Sequence, residues 1–301
     1  MPEKVLKMPG GREGGKEETP ALVEGSRIIL FCKRRKIMMY EERILAYIDI
    51  LGFTSAVGKT IEKNEETGKE TENIAKTIEK NEEKGKETEN IAEIQKIDNL
   101  LEEVRLCSYN REYLLGEPKI KGRVVSQFSD SLVISYLKES DIYHILLDIY
   151  FLCVMALEKG FLYRGAIVCG KVIHTDNKIF GPAFIDAHKI EEKIAFFPRI
   201  LLDDKVIDIV KNNYSSRPNS DAEYNNVEKL ILYDFDGKPF INYIDKLDTG
   251  VSNGVEEKQK HFLCINEMIE NHKKTSDARI KCKYLWLKEK YECRLKKAAL
   301  K

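Results

Sequence analysis

Tyr47-Ile48-Asp49-Ile50-Leu51-Gly52-Phe53-Thr54 sets one carboxylate inside an apolar run and follows it at once with a glycine turn. The run from about Ile44 to Ile50 reads as a buried strand, where a lone carboxylate is costly unless it has a task. Phe128-Ser129-Asp130-Ser131 repeats the pattern, with Asp130 interrupting residues that lead into a second apolar strand, Leu132-Val133-Ile134-Ser135. The two aspartates together predict a site for a divalent metal bound with a nucleoside triphosphate, because hard cations take one or two carboxylates plus phosphate oxygens. Glycine in Leu51-Gly52-Phe53-Thr54 permits close approach, so the turn amides and the following helix N-terminus are expected to face the phosphates. Each aspartate alone has a plainer reading: Asp49 ends a strand and caps the next helix, and Asp130 is a turn residue.

Beyond this turn, Thr60–Lys76 and Thr77–Glu93 form a near-perfect tandem duplication. It is too polar to build a core and is expected to be an exposed helical or partly ordered insertion, with Glu–Lys pairs supporting helix and Gly68 and Gly85 interrupting it. The spacing of Ile94, Ile97, Leu100, Leu101 and Val104 predicts an amphipathic helix. Strands at Arg123–Phe128 and Leu132–Tyr136 read as a hairpin closed by Ser129-Asp130-Ser131. A helix from Asp141 to about Lys159 follows, capped by Ser140 or Asp141 and stopped by Gly160. Tyr163–Val168 and Lys171–His174 read as two strands around Gly170, Gly181-Pro182 opens a helix to about Ala195, and Pro198–Leu202 returns as a strand. This order predicts an α+β fold with helices on one face of a sheet. Further on come a polar loop at Ser215–Asn226 and a strand entering a turn at Leu230–Gly237. Two helices then run from Val255 to about Lys273 and from Ala278 to about Lys297, the last packing Leu285, Trp286 and Tyr291 inward. Asp234, Asp236 and Gly237 lack the rest of a calcium-loop ligand series and read as a turn.

Composition narrows the function. Lys plus Arg and Asp plus Glu are 50 each, so the formal net charge is zero and no global field points to nucleic acid or to an acidic surface. The basic cluster Lys33-Arg34-Arg35-Lys36 reads as a solvated tail. Seven scattered cysteines suggest neither a disulfide framework nor a zinc site, and the five histidines show no metal spacing. No apolar run approaches the length of a spanning helix and no signal-peptide core opens the chain. The expectation is a cytoplasmic protein that contacts neither nucleic acid nor membrane.

The chain resembles the catalytic domain of class III nucleotidyl cyclases, and within them the bacterial pyrimidine cyclases of the Pycsar antiphage system. The matching letters are Ile48-Asp49-Ile50-Leu51-Gly52-Phe53, Phe128-Ser129-Asp130-Ser131, Tyr163-Arg164-Gly165-Ala166-Ile167 with Gly170, Gly181-Pro182-Ala183 with Ala187 and Glu191, and Pro198-Arg199-Ile200. Tyr284-Leu285-Trp286-Leu287 is similar to that group's C-terminal segment. The resemblance implies a ferredoxin-like core with an antiparallel-rich sheet and a helical C-terminal extension. Residues 1–38 would be a disordered or non-native extension, 39–212 the cyclase domain with its insertion at 60–93, and 213–301 a strand and helix extension packed on it. The implied reaction is attack of the ribose 3′ hydroxyl on the α-phosphate with loss of pyrophosphate. Two manganese or magnesium ions would be held by Asp49, Asp130 and the Ile50 carbonyl, and Arg164 would contact the triphosphate.

Departures from the purine cyclases bear on the substrate. Adenylate cyclases read adenine with a lysine four positions before the second aspartate and an aspartate three positions before the helix glycine. Those places hold Ser126 and Lys178 here, which cannot present the same donors and acceptors. The family's transition-state asparagine and arginine fall on Ile185 and Lys189. Lys189 would still bring positive charge to the phosphate, as a point charge without arginine's fork. Tyr47 is a candidate for the base pocket. Sites of this class lie between two subunits, which implies a homodimer with Asp49 and Asp130 from one chain and Lys189 from the other. The resulting expectation is a uridylate cyclase making cyclic UMP that acts on a downstream effector in antiphage defence. The alternatives are a cytidylate cyclase, an inactive cyclase-like nucleotide-binding dimer, or a metal-dependent phosphohydrolase.

Overall fold

The computed structural model describes residues 39–63, 87–106, 120–215, 227–246, 254–273 and 275–299. Its central element is β1 (Glu41–Leu51), buried without a break from Arg43 to Ile48. Burial this continuous means that both of its faces are covered. Ile44, Ala46, Ile48 and Ile50 enter one core, and Leu45 and Tyr47 enter a second.

After β1 come α1 (Phe53–Gly58), the paired short strands β2 (Ile61–Lys63) and β3 (Glu87–Glu89), and α2 (Ile91–Leu106). The hairpin of β4 (Val124–Phe128) and β5 (Ser131–Leu137) leads to α3 (Ile142–Glu158). Then follow β6 (Leu162–Thr175), β7 (Lys178–Phe180), α4 (Pro182–Lys193), β8 (Ile200–Leu202) and α5 (Asp204–Ser215). The last elements are β9 (Ile231–Tyr233), β10 (Pro239–Ile241), α6 (Gly254–His272) and α7 (Ala278–Ala299). The sheet runs β4-β5-β1-β6-β8-β10-β9, with β7 folded back on the end of β6. All neighbours are antiparallel except β6 and β8, which makes the sheet mixed. The chain divides between Met38 and Met39, and strands β9 and β10 extend the same sheet as β1 within the 39–301 part.

The α+β class expected from the sequence is the class observed. One-sided helix packing is not. Ile97 and Leu100 of α2, the apolar face of α3, Val206 and Val210 of α5, Ile265 and Met268 of α6 and Trp286 of α7 fill the larger core. Meanwhile α4 lays Ala183 and Ala187 on the opposite face, against Leu45, Val133, Ala166 and Val168. A strand apolar on both sides requires such two-sided cover.

Nor does Gly170 separate two strands. β6 continues through it for 14 residues. A Cβ on Gly170 would stand 3.3 Å from Cβ of Ala183, so the glycine admits α4 to the sheet. At the start of α3, Asp141 is the cap, accepting from the Tyr143 amide at 3.0 Å. On α7, Trp286 and Leu287 are buried while Leu285 points outward, 53% exposed, because the helical turn carries its side chain off the packed face. The repeat falls largely outside the described residues, as does the Ser215–Asn226 loop. Only the ends of the repeat are seen, in the β2–β3 pair and the first residues of α2.

The turn after β9 engages its acids internally. Asp234 receives Arg199 Nη1 at 2.5 Å, Trp286 Nε1 at 2.8 Å and Lys290 Nζ at 2.5 Å, and Asp236 receives Arg199 Nη2 at 2.6 Å. Arg199 holds the Asp236 carboxyl below its ordinary range. This cluster joins the start of β8, the β9–β10 turn and α7, and leaves these two carboxylates in ion pairs.

Candidate functional site

β1 delivers Asp49 between two partners, opposite Ser131 on β5 and opposite Arg164 on β6. Arg164 Nε donates to Asp49 Oδ2 at 2.8 Å, and Arg164 Nη2 lies 2.6 Å from Glu191 Oε1, an ion pair by distance though not a straight hydrogen bond. Glu191 comes from the last full turn of α4 and is 5% exposed. Burial pushes its carboxyl up, Arg164 pulls it down, and Asp49 pushes it up again. The neighbouring glycine lets these strands meet: a Cβ on Gly165 would stand 2.1 Å from the Tyr47 carbonyl oxygen.

Asp130 arrives from the other side. The turn between β4 and β5 places Ser129 at φ 55°, and the Asp130 carbonyl accepts the Ile50 amide at 3.0 Å. The backbone thus ties the second aspartate's turn to the residue after the first. Among the described residues, nothing donates a hydrogen bond to the Asp130 carboxylate. Tyr47 reports the same neighbourhood. Its hydroxyl donates to Ser131 Oγ at 3.0 Å, its ring meets His188 and Phe184 of α4, and its phenol is pushed up first by burial and then by Glu191, Asp49 and Asp130.

Of the turn residues, Gly52 adopts φ 80° and has nothing within 4 Å of the place a Cβ would take, so its approach is open. Leu51 and Phe53 pack partly on the larger core, and Thr54 is exposed. α1 has only six residues, so its dipole is small.

Other expected residues lie apart from this cluster. Lys189 is 59% exposed on the outward side of α4, 4.0 Å from Asp186, and Ile185 is 52% exposed beside it. Ser126 is taken up by a histidine to which the sequence assigned no role. Its Oγ is 2.9 Å from His174 Nε2, His174 Nδ1 is 2.8 Å from Ser135 Oγ, and Arg43 Nε donates to Ser135 at 2.8 Å. Burial, then Arg43, lowers the His174 pKa to about 4. Lys178 is exposed on β7, one position before the residue paired with His174.

The sequence alone gives Glu191 no role. Its signal lies in the spacing Ala183, Ala187, Glu191, which puts one charge on the buried face of a helix. Among the described residues, no three His, Cys, Asp or Glu side chains gather as a metal site. Asp49, Asp130 and the Ile50 carbonyl are nonetheless hard oxygen donors, too few to saturate a cation, as befits an ion that shares phosphate and water oxygens. Magnesium and manganese take oxygen donors of this kind, and one of them, Asp49 Oδ2, is engaged by Arg164 in this structure. Among the described residues, no helix is long and apolar enough to cross a membrane. Comparison with protein-family models and with curated proteins finds no match to this chain.

Proposed function

We propose that the chain is a pyrimidine nucleotide cyclase, converting UTP to 3′,5′-cyclic UMP and pyrophosphate in the cytoplasm as a signal in antiphage defence, with CTP as the alternative substrate. The observation that carries this reading is the meeting of Asp49 and the Asp130 turn at the end of β1, sealed by the Ile50–Asp130 backbone bond, with Arg164 alongside. The order β4-β5-β1-β6 with two helical crossovers supports it as well, being the interleaved antiparallel order of a ferredoxin-like core.

On this reading Asp49, Asp130 and the Ile50 carbonyl hold two divalent cations, which supply charge to activate the 3′ hydroxyl and to stabilise the α-phosphate. Arg164 exchanges its two carboxylates for phosphate oxygens, and the amides of Gly52, Phe53 and Thr54 line the polyphosphate. Tyr47 and Ser126 border the base side, with Lys178 at its rim. Lys189 faces away from its own chain's aspartates, as a residue given to a second subunit's site must.

The outward Ile185 in place of the family's asparagine favours one rival, a nucleotide-binding dimer without turnover. Incubating purified protein with ATP, GTP, CTP and UTP separately, with manganese, decides between them. A cyclic pyrimidine product with pyrophosphate supports the cyclase, nucleotide binding without product supports the rival, and release of inorganic phosphate would indicate a phosphohydrolase.

A further inference from the structure

Arg43, Ser135, His174 and Ser126 form a hydrogen-bonded line whose direction is fixed at one end. Arg43 is 3% exposed and its guanidinium can only donate, giving the Nε proton to Ser135 Oγ at 2.8 Å. Ser135 is fully buried, and among the described residues its hydroxyl meets one further group, Nδ1 of His174 at 2.8 Å. A buried hydroxyl proton needs an acceptor, so Ser135 donates to Nδ1. His174 is neutral at pH 7, its pKa lowered to about 4 by burial and then by Arg43, so its one N–H is on the other ring nitrogen. Nε2 therefore donates to Ser126 Oγ at 2.9 Å. Ser126, half-buried on β4, keeps its own proton, and among the described residues none receives it. The sheet brings this hydroxyl towards the aspartates. Ser126, Val133 and Tyr47 lie opposite one another on β4, β5 and β1, and Phe128, Ser131 and Asp49 form the next row on the same face. By strand spacings Ser126 is about 10 Å across the sheet from Asp49 and about 7 Å along it.

We infer that Ser126, oriented by His174 as its positioning residue, donates a hydrogen bond to the 4-carbonyl of a uracil base and so selects UTP over CTP. The inference rests on the reading of Asp49 and Asp130 as the triphosphate end of a pyrimidine nucleotide site, and it names the base. N1 of the ring carries the ribose, so position 4, across the ring from it, is the edge that reaches a residue one row beyond Asp49. Uracil bears a carbonyl acceptor there and cytosine an amino donor. With its first lone pair filled by His174, Ser126 offers one proton and one lone pair. Uracil takes the proton and leaves only a lone pair idle, whereas cytosine fills the lone pair and strands the proton, the costlier loss in a site closed by the base.

The test is titration calorimetry of the full chain with 3′-deoxy-UTP and 3′-deoxy-CTP plus magnesium, analogues that lack the attacking hydroxyl and so stay intact. The ratio of the two affinities is compared in the unmodified protein, Ser126→Ala, His174→Gln and His174→Glu. Glutamine keeps the direction of the line, accepting from Ser135 and donating to Ser126, while glutamate accepts from both and leaves Ser126 only lone pairs to offer. Expected is tighter binding of the uracil analogue by about tenfold in the unmodified protein, the scale of one stranded donor, kept in His174→Gln, reduced to within about twofold in Ser126→Ala, and turned towards cytosine in His174→Glu. A merely structural histidine would change both affinities together and leave their ratio alone. Should melting show that glutamate is not tolerated in this buried place, the alanine and glutamine variants decide. Equal binding of the two analogues, a ratio that survives Ser126→Ala, a ratio lost in His174→Gln, one unmoved in a folded His174→Glu, or no binding by the unmodified protein overturns the proposal. The reading as a cyclase is judged separately by product formation. A chain that prefers uracil through Ser126 but makes no cyclic nucleotide retains this inference and loses that one, and a cyclase indifferent to the base does the reverse.

Discussion

His174 shows how a single residue ties this fold to pH. In the unfolded chain its imidazole protonates at about the ordinary value of 6.5, whereas in the fold its pKa is held at about 4. Between those values the unfolded state binds more protons, so stability falls as pH drops from about 6.5 to 4, by no more than about 1.4 kcal/mol per pH unit from this group. Replacing it by glutamine, which keeps partners for Ser126 and Ser135, is expected to flatten that part of the profile. Melting temperatures measured from pH 7 to pH 4 for both proteins check this, and parallel profiles would show that the histidine does not carry the effect. None of it was legible in the sequence, because His174 meets Ser126 and Ser135 only once the far end of β6 comes against β4 and β5. Asp49 and Asp130 were legible, since a carboxylate breaking an apolar run is visible without the partner that explains it.

Among the elements, contact between β1 and β6 is controlled by the glycine beside Arg164. Gly165→Ala would drive a methyl group into the Tyr47 carbonyl at 2.1 Å, so the strands must part. The expected cost is at least about 3 kcal/mol, at or beyond the upper end of ordinary overpacking. Gly52→Ala meets no atom and suffers only from φ 80°, about 1 kcal/mol. Urea midpoints of the two variants check the order, and equal midpoints would contradict the close approach. Strand and helix positions were largely readable from apolar spacing, as at α3, where an aspartate cap and Gly160 mark both ends. The continuity of β6 through Gly170 was not, because the same glycine that suggests a break locally is there to admit α4 from elsewhere in the chain.

Across the whole molecule, the Arg199–Asp234 cluster ties the C-terminal helix to the sheet. Arg199→Met would leave Asp234 with Lys290 and Trp286 but remove one of its two ion pairs and that of Asp236, and a loss of about 1–3 kcal/mol is expected by denaturant titration, against near-neutrality if the cluster were solvated. If the site is completed by a second subunit, mixing Asp49→Ala protein with Lys189→Ala protein is expected to restore activity that neither has alone, since one of the two sites in a mixed dimer is then intact. Mixtures as inactive as their parents would place Lys189 outside the chemistry. The pairing of β2 with β3 reaches further. The second unit of the duplication rewrites β2 as Ile78-Glu79-Lys80 and also contains β3, so excising Thr60–Lys76 leaves both strands of that ribbon spelled out, joined by residues 81–86. Changing a loop between paired ends costs little, about 0.6 kcal/mol per doubling. Gaining or losing one copy of the unit therefore keeps both strands of the ribbon in the sequence, so the number of residues between them is free to change at small cost to the fold.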